Sequence, residues 1–282
     1  MAGNSSVAGR SVVSKAIAIL AVFSGHRVEL GLSEIARLAQ LPTSTTHRLL
    51  ADLVDSGALD RTPGGRYVIG LNLWGIASRA PQSYTLSQAA VPHLQRLLEV
   101  SKQHAHLVTL HGSYGLVLEK LSWHSVPDRI SPEGTKLPLH ATATGQVLLA
   151  FGRASTRDMV LSGPLTAYTP CTPVTPDDLR QRLQVVRRQG FSRSYGELVS
   201  AQTALAAPVF GADGTLVGSI GTIVGNDERD LETLERAVRL EANELTRYLQ
   251  SVHPGHQDSP NFRPMQHIRV DAPQYPEHPA AD

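Results

Sequence analysis

Six consecutive residues, Thr43, Ser44, Thr45, Thr46, His47 and Arg48, bring together four hydroxyls, an imidazole and a guanidinium. Short hydroxyl side chains let a backbone approach phosphates closely, while Arg and His reach phosphate oxygens or the acceptor edge of guanine. A second cationic pair, Arg61 and Arg66, flanks Pro63-Gly64-Gly65, and Arg10 sits in a Gly/Ala/Ser/Asn-rich N-terminal stretch. A third constellation is different in kind. From Leu139 to Gly145 a loop leads into an apolar helical run, so free backbone N–H groups and the hydroxyls of Thr142 and Thr144, around Ala143, make an end suited to an anion. Taken singly, a Ser/Thr cluster at a helix start is usually a cap and an arginine hairpin a solvated turn. Their order along the chain is what gives them meaning.

The elements that must position these residues follow from periodicity. Val12, Val13, Ala16, Ile17, Leu20 and Phe23 recur at three- and four-residue intervals and predict a first helix ending at Ser24-Gly25. Ser33 to Gln40 predicts a second, with Ser33 as its N-cap. Leu41-Pro42 interrupts, and a third helix starts at Thr43-Ser44 with hydroxyl caps and stops at Gly57. Ala58 to Gly70 reads as a hairpin about Pro63-Gly64-Gly65. Three helices and a basic hairpin form a winged helix-turn-helix, which can set its third helix in the DNA major groove. A helix from Leu71 to Arg79, a break at Ala80 to Ser83, and a helix from Leu86 to Gln103, with Pro92 in its first turn, make a linker. Beyond it, hairpins at 106–111/116–121 and 205–210/215–224 and helices at 143–151, 176–189 and 227–250 describe an α+β domain.

Length and composition agree with two folded parts. The chain has 282 residues, of which 41% are hydrophobic, enough to bury a sizeable core and to exclude wholesale disorder. Cys171 is the single cysteine and reads as inert; it excludes an internal disulfide and a multi-cysteine zinc site. No apolar run approaches the roughly 18 residues of a membrane span, so no membrane partner is expected and a cytoplasmic site is. Residues 1–80 hold eight bases against five acids, a charge of +3 that leaves −2 for the rest of a chain of net +1. That asymmetry is a weak nucleic-acid footprint unless the bases lie on the right elements.

With those motifs in place, Leu32-Ser33-Glu34-Ile35-Ala36-Arg37, Leu41 to Leu50, Gly64-Gly65-Arg66-Tyr67 and Gly70 resemble the N-terminal domain of the IclR family of bacterial transcription regulators. Leu137 to Gln146 resembles that family's effector loop, with Gln146 where a lysine is common. Arg188-Gln189-Gly190-Phe191 with Gly196-Glu197, and Ala206-Ala207-Pro208-Val209, resemble its next two signatures. The resemblance covers about residues 10–250. It implies a winged helix-turn-helix over 12–78, a linker helix over 79–104 and a GAF-like α/β effector-binding domain over 105–252; composition alone, outside the resemblance, reads 1–11 as a flexible arm and the Pro/His-rich 253–282 as a disordered tail. It also implies effector contacts from Ser194, Glu197, Thr203, Ala204, Thr222 and Val224, beside Thr142, Ala143 and Thr144. A homodimer or homotetramer on an operator, with a small oxygen-rich or carboxylate effector, is the implied assembly.

Other functions have less to stand on. Gly218-Ser219-Ile220-Gly221 lacks the spacing of a nucleophile elbow, and no His-Glu-x-x-His, Walker or Rossmann pattern is present. Twelve histidines suggest no ligand set: four fall in the tail, and His104, His106 and His111 read as strand residues. Neither an enzyme nor a cofactor is expected. The rivals are a small-molecule-processing enzyme fused to a DNA-targeting module, which would turn over its ligand, and a winged domain used for protein contact, which would show no salt-dependent duplex binding.

Overall fold

The computed structural model describes residues 11–24, 27–77, 81–124, 132–228 and 230–252. The chain divides into two compact units, Met1–Thr85 and Leu86–Asp282. Arg10 and the tail from 253 onward lie outside the described residues.

In the first unit, α1 (Val12–Leu20), α2 (Leu32–Ala39) and α3 (Thr43–Asp55) pack around Ile19, Ile35, Leu49, Leu50 and Leu59. The second helix starts one residue earlier than Ser33 predicts. Gly31 is its cap, and the Glu34 carboxylate accepts the Gly31 N–H at 2.8 Å, satisfying a donor that the helix itself leaves unpaired. The third helix has no side-chain cap; the expected hydroxyl cap is replaced by Pro42, which has no N–H to satisfy. Gly57, at φ +68°, then turns the chain into β1 (Leu59–Arg61), which pairs antiparallel with β2 (Tyr67–Ile69) to form the wing. Leu30 bridges to Tyr67, tying the wing to the start of α2. The short helix α4 (Leu71–Ala77) follows.

The second unit is a six-stranded antiparallel sheet in the order β5-β4-β3-β8-β7-β6, where β3 is His104–His111, β4 Tyr114–Ser122, β5 Lys136–Pro138, β6 Ser192–Tyr195, β7 Gln202–Phe210 and β8 Leu216–Gly225. Helices cover both faces. Against one lie α5 (Pro81–Ser101) and α9 (Leu231–Val252), whose Leu94, Leu97, Val238 and Leu245 share a core with Leu107, Leu205 and Ile220. Against the other lies α6 (Ala143–Phe151), buried from Ala143 to Ala150 beneath α7 (Ala154–Ser162) and α8 (Pro176–Gln189). The limits of α6 and α8 match the sequence reading, because each has strong punctuation. Thr142 caps α6; Thr175 and Pro176 open α8, and Gly190 at φ +78° closes it.

The linker differs from expectation. Its helix begins at Pro81, where a residue lacking an N–H costs nothing at the first position, so Pro81 starts the helix instead of breaking it. Pro92 consequently falls in the interior and removes one backbone donor there. No helix among the described residues is long and apolar enough to cross a membrane.

Candidate functional site

On α3, Thr43, Ser44, His47 and Arg48 are exposed and occupy positions i, i+1, i+4 and i+5, hence one stripe. Among the described residues, neither His47 nor Arg48 makes a side-chain hydrogen bond or ion pair. Thr45 is half-buried at the edge of the stripe. Thr46 belongs to the other face. It is fully buried, and its hydroxyl donates to the Pro42 carbonyl at 3.0 Å, so this predicted DNA contact is a core residue.

The two wing arginines also part company. Arg66 is committed internally: its guanidinium lies 2.9 Å from Glu34 Oε2 and 3.6 Å from Glu29 Oε1, and donates to the Glu29 carbonyl at 3.0 Å. The Gly31 N–H and Arg66 together hold the Glu34 carboxyl below its ordinary range. Such an exposed, solvent-screened pair contributes little to stability. Its consequence is positional, since it clips the wing to the start of α2 and uses up the cation that the sequence reading offers to phosphate. Arg61 is exposed, 5.9 Å from the Tyr67 ring centroid, and is the outward cation of the wing.

The loop before α6 is built on the residues expected. Thr142 Oγ1 accepts from Gly145 N at 3.1 Å and donates to the Pro138 carbonyl at 2.9 Å, so both functions of this hydroxyl are spent holding the turn. Gly145 could not be larger: a Cβ there would stand 2.5 Å from Leu139 Cα and carbonyl oxygen. Ala143 is buried. Thr144 is 2% exposed, and its hydroxyl has no protein partner among the described residues.

Next to Thr144 in sequence lies a connected polar network that no single stretch announces. Gln146 Nε2 donates to the His140 carbonyl at 3.1 Å and to Glu197 Oε2 at 2.6 Å, while its Oε1 accepts from Ser192 Oγ at 2.9 Å. The other oxygen of Glu197 pairs with Arg182 from α8. Thr172 donates to the Glu197 carbonyl at 2.6 Å, and Thr169 to that of Gly196, also at 2.6 Å. Burial pushes the Glu197 carboxyl up; Arg182, Gln146 and Ser194 oppose it. The glutamine at position 146, where a lysine is common in the resembled family, is thus the neutral member of a network whose positive charge comes from Arg182.

Register decides which predicted residues can meet. Directly paired residues share a face and the period along a strand is two. One row across the sheet is Ser122–His104–Ile223–Ala204–Ser194, and the next on the same side is Lys120–His106–Gly221–Ala206–Ser192. Ala206 and Val108, two residues on from His106, belong to the core beneath α6, so both rows face that helix. Phe151 meets Phe210 edge-on at 6.0 Å, and a Cβ on Gly115 would stand 3.7 Å from Leu148 Cδ1 and 2.8 Å from Val108 Cγ1. The C-terminal end of α6 therefore overlies the Val108 and Phe210 end of the sheet, and its first turn, with Thr144, the His104 and Ala204 end.

Thr203, Thr222 and Val224 fall on the opposite face. Val224 packs into the α5/α9 core, Thr222 Oγ1 donates to the His104 carbonyl at 2.6 Å, and Thr203 Oγ1 to Asn226 Oδ1 at 2.8 Å. The three assignments implied by resemblance are corrected accordingly: a one-residue offset in a strand exchanges faces. Gly221 and Ile223 are the β8 residues under α6. Four others there were not singled out: His104, His106, Lys120 and Ser192, at 2%, 6%, 9% and 1% exposure. Their signal was His104/His106 alternation on a strand, a pattern that any half-polar sheet face produces. Among the described residues no group of three or more His, Cys, Asp or Glu side chains could hold a metal.

Comparison with known proteins bears on both units. Residues 12–63 match the IclR helix-turn-helix domain, and residues 79–247 the bacterial transcriptional regulator IclR C-terminal domain. The chain is 29% identical to the regulator XynR of Escherichia coli over 84% of its length and 96% of the relative's. It is 30% identical to the transcriptional repressor IclR of the same organism over 64% and 68%. A crystal structure of an IclR homologue from Microbacterium hydrocarbonoxydans complexed with 4-hydroxybenzoate superposes with a TM-score of 0.78 at 29% identity, covering 86% of this chain and all of that one. With a winged helix-turn-helix, a helix-covered antiparallel sheet and family models matched across both, the chain belongs to the IclR family of bacterial transcriptional regulators.

Proposed function

We propose that this regulator binds a specific operator through the α3 stripe of Thr43, Ser44, His47 and Arg48, aided by Arg61. Its affinity changes when a small oxygen-rich organic molecule occupies the space between the first turn of α6 and the sheet. The observation that carries the sensor half is Thr144, a residue 2% exposed whose hydroxyl has no hydrogen-bond partner among the described residues, at the start of a helix lying on the sheet face that holds the small residues Ala204, Ala206 and Gly221. Buried polar groups are normally paired, so an unpaired one at a helix start reads as reserved for a ligand. Glu197, already paired with Arg182 and Gln146, then serves to hold Ser192, Ser194 and the loop in place. The relative that carries 4-hydroxybenzoate supports a ligand of this size and chemistry. A cytoplasmic site follows from a DNA partner.

Two measurements test the two halves. Arg48→Ala should weaken operator binding by about 1–3 kcal/mol and relax sequence preference, whereas Arg66→Ala should act only through the wing's position and leave the salt slope unchanged. Tight parental binding by Arg48→Ala across a salt titration would rule out α3 as the reading helix. Thr144→Leu removes a hydroxyl and fills space. With a panel of small organic acids that includes 4-hydroxybenzoate, a coupling of about 1–3 kcal/mol shifts parental operator affinity about 5- to 150-fold; in Thr144→Leu that shift should vanish while unliganded DNA binding persists. An unchanged shift in the variant would place the pocket elsewhere.

We further propose that the protein is a dimer or a dimer of dimers without DNA. One domain of this modest charge makes few phosphate contacts, so two half-sites must be engaged together. The short helix α4 leaves Leu71, Trp74 and Ile76 at 79%, 67% and 69% exposure, an apolar surface suited to a second copy. Light scattering at micromolar concentration should give at least twice the 30.4 kDa chain mass; a monomer there and on operator DNA would reject the assembly.

A further inference from the structure

Strand β6 has two faces, and the effector reading uses only one. Ser192 and Ser194 look toward α6, so Arg193 and Tyr195, one residue out of step, look toward α9. There, with Gln189 at the end of α8, Phe191 just before the strand, and Glu235 and Arg239 on α9, they line an open cavity of about 490 Å³. That volume suits a small molecule, and the lining joins aromatic walls to a few convergent polar groups, as ligand sites do.

The charges of this cavity do not cancel. Arg193 Nη2 donates to Glu235 Oε2 at 2.7 Å and Nη1 to the Tyr195 hydroxyl at 2.8 Å, while Nε is buried with no acceptor. Arg239 Nη1 reaches the second oxygen of the same carboxylate only at 3.4 Å, and its side chain is half exposed. Among the described residues two guanidiniums therefore share one carboxylate, leaving one positive charge. Both are steadied by rings: Arg193 Cζ lies 6.0 Å from the Phe191 centroid and 5.8 Å from that of Tyr195, and Arg239 Cζ lies 5.6 Å from Phe191. Phe191 is itself anchored in the α5/α9 core, so the arginines are placed before a ligand arrives. The Gln189 side-chain amide has no protein partner among the described residues, and the Tyr195 ring offers a half-exposed flat wall.

We infer that this cavity is a second small-molecule site, independent of the one under α6, and that it takes a planar organic monocarboxylate. The carboxylate accepts from the spare N–H groups of Arg239 and from the Gln189 amide, and the planar body lies against Tyr195. One surplus positive charge matches one carboxylate, whose two oxygens suit a guanidinium fork. A dianionic phosphate would leave an unbalanced negative charge beside Glu235, and an uncharged amide would forgo the attraction altogether.

The test uses the full-length protein, with 2-naphthoate as the probe and 2-naphthamide as its uncharged counterpart. Calorimetry is run on the parent, Arg239→Gln, Tyr195→Ala, Tyr195→Phe and Thr144→Leu, each first shown to be folded by its melting transition. Arg239 and Tyr195 are half exposed, so changing them should leave the fold intact. Naphthoate should bind the parent and bind at least about ten-fold more weakly to Arg239→Gln and Tyr195→Ala, as expected for loss of a charged hydrogen bond or of the stacking wall. Tyr195→Phe, which keeps the ring, and Thr144→Leu should retain that binding, and naphthamide should not compete. No naphthoate binding, equal binding of the amide, or binding that Arg239→Gln leaves unchanged would overturn the assignment. Loss in Thr144→Leu alone would place the probe under α6, overturning this site while supporting the effector reading. A lower mass of Arg239→Gln by light scattering would show that a second copy covers the cavity, and would overturn it too.

Discussion

Glu241→Ala should lower the unfolding free energy of the second unit by about 3 kcal/mol, read as a fall in denaturant midpoint at unchanged slope. Glu241 lies on α9 at 6% exposure and serves the linker helix α5: His93 Nδ1 lies 2.7 Å from one carboxylate oxygen, and Arg96 Nε donates to both at 2.9 Å. Those bonds hold the Arg96 guanidinium above even its ordinary range. Removing one member of a buried ionic cluster typically costs about 3–5 kcal/mol because the remaining groups keep their desolvation cost. The lower end applies here, since the Arg96 side chain is half exposed and can rehydrate. Replacing all three residues with His93→Leu, Arg96→Met and Glu241→Leu should recover most of the loss. A single variant that unfolds like the parent would show that the cluster contributes nothing net.

The second large effect is on pH. The folded-state value of His106, about 4, lies below its ordinary 6.5, so between those values the unfolded chain binds the proton that the fold excludes. Stability contributed by the neutral ring is complete above about pH 6.5 and is lost as pH falls toward 4. The gap corresponds to about 3 kcal/mol, at 1.36 kcal/mol per unit. His106→Phe, which cannot titrate, should show a flatter decline over that window by about that amount, measured by chemical denaturation at half-unit steps. Parallel declines in parent and variant would mean that the ring is hydrated in the folded protein.

Legibility from sequence tracked how local each cause is. The α8 limits were readable because Thr175, Pro176 and Gly190 act on their own neighbours, and the winged unit because its periodic helices and Pro-Gly-Gly turn are contiguous. The strands β5 and β6, of three and four residues, and the helix α7 carried no pattern long enough to distinguish from loop. Partnerships were hidden altogether: Gln146 meets Glu197 across 51 residues and His93 meets Glu241 across 148. The exchange of Thr222 and Val224 for Gly221 and Ile223 has another origin. A motif matched to within one residue suffices for a loop, but a strand reads parity, and only the pairing with β3 and β7 supplies it.

The covering of the sheet on both sides has a bearing on how such a sensor can change its ligand. On the side clad by α5 and α9 large aliphatic side chains interlock, as they do around the later turns of α6. The side under the first turn of α6 carries alanines, a glycine, serines and histidines. Exchanging Ala204 for a bulkier residue, or Ile223 for a smaller one, would reshape the proposed effector site while leaving the α5/α9 core untouched. Alternate positions of the same strand are thus open to different selective pressures: one set is constrained by folding, and its neighbours are freer to diversify as the molecule to be sensed changes.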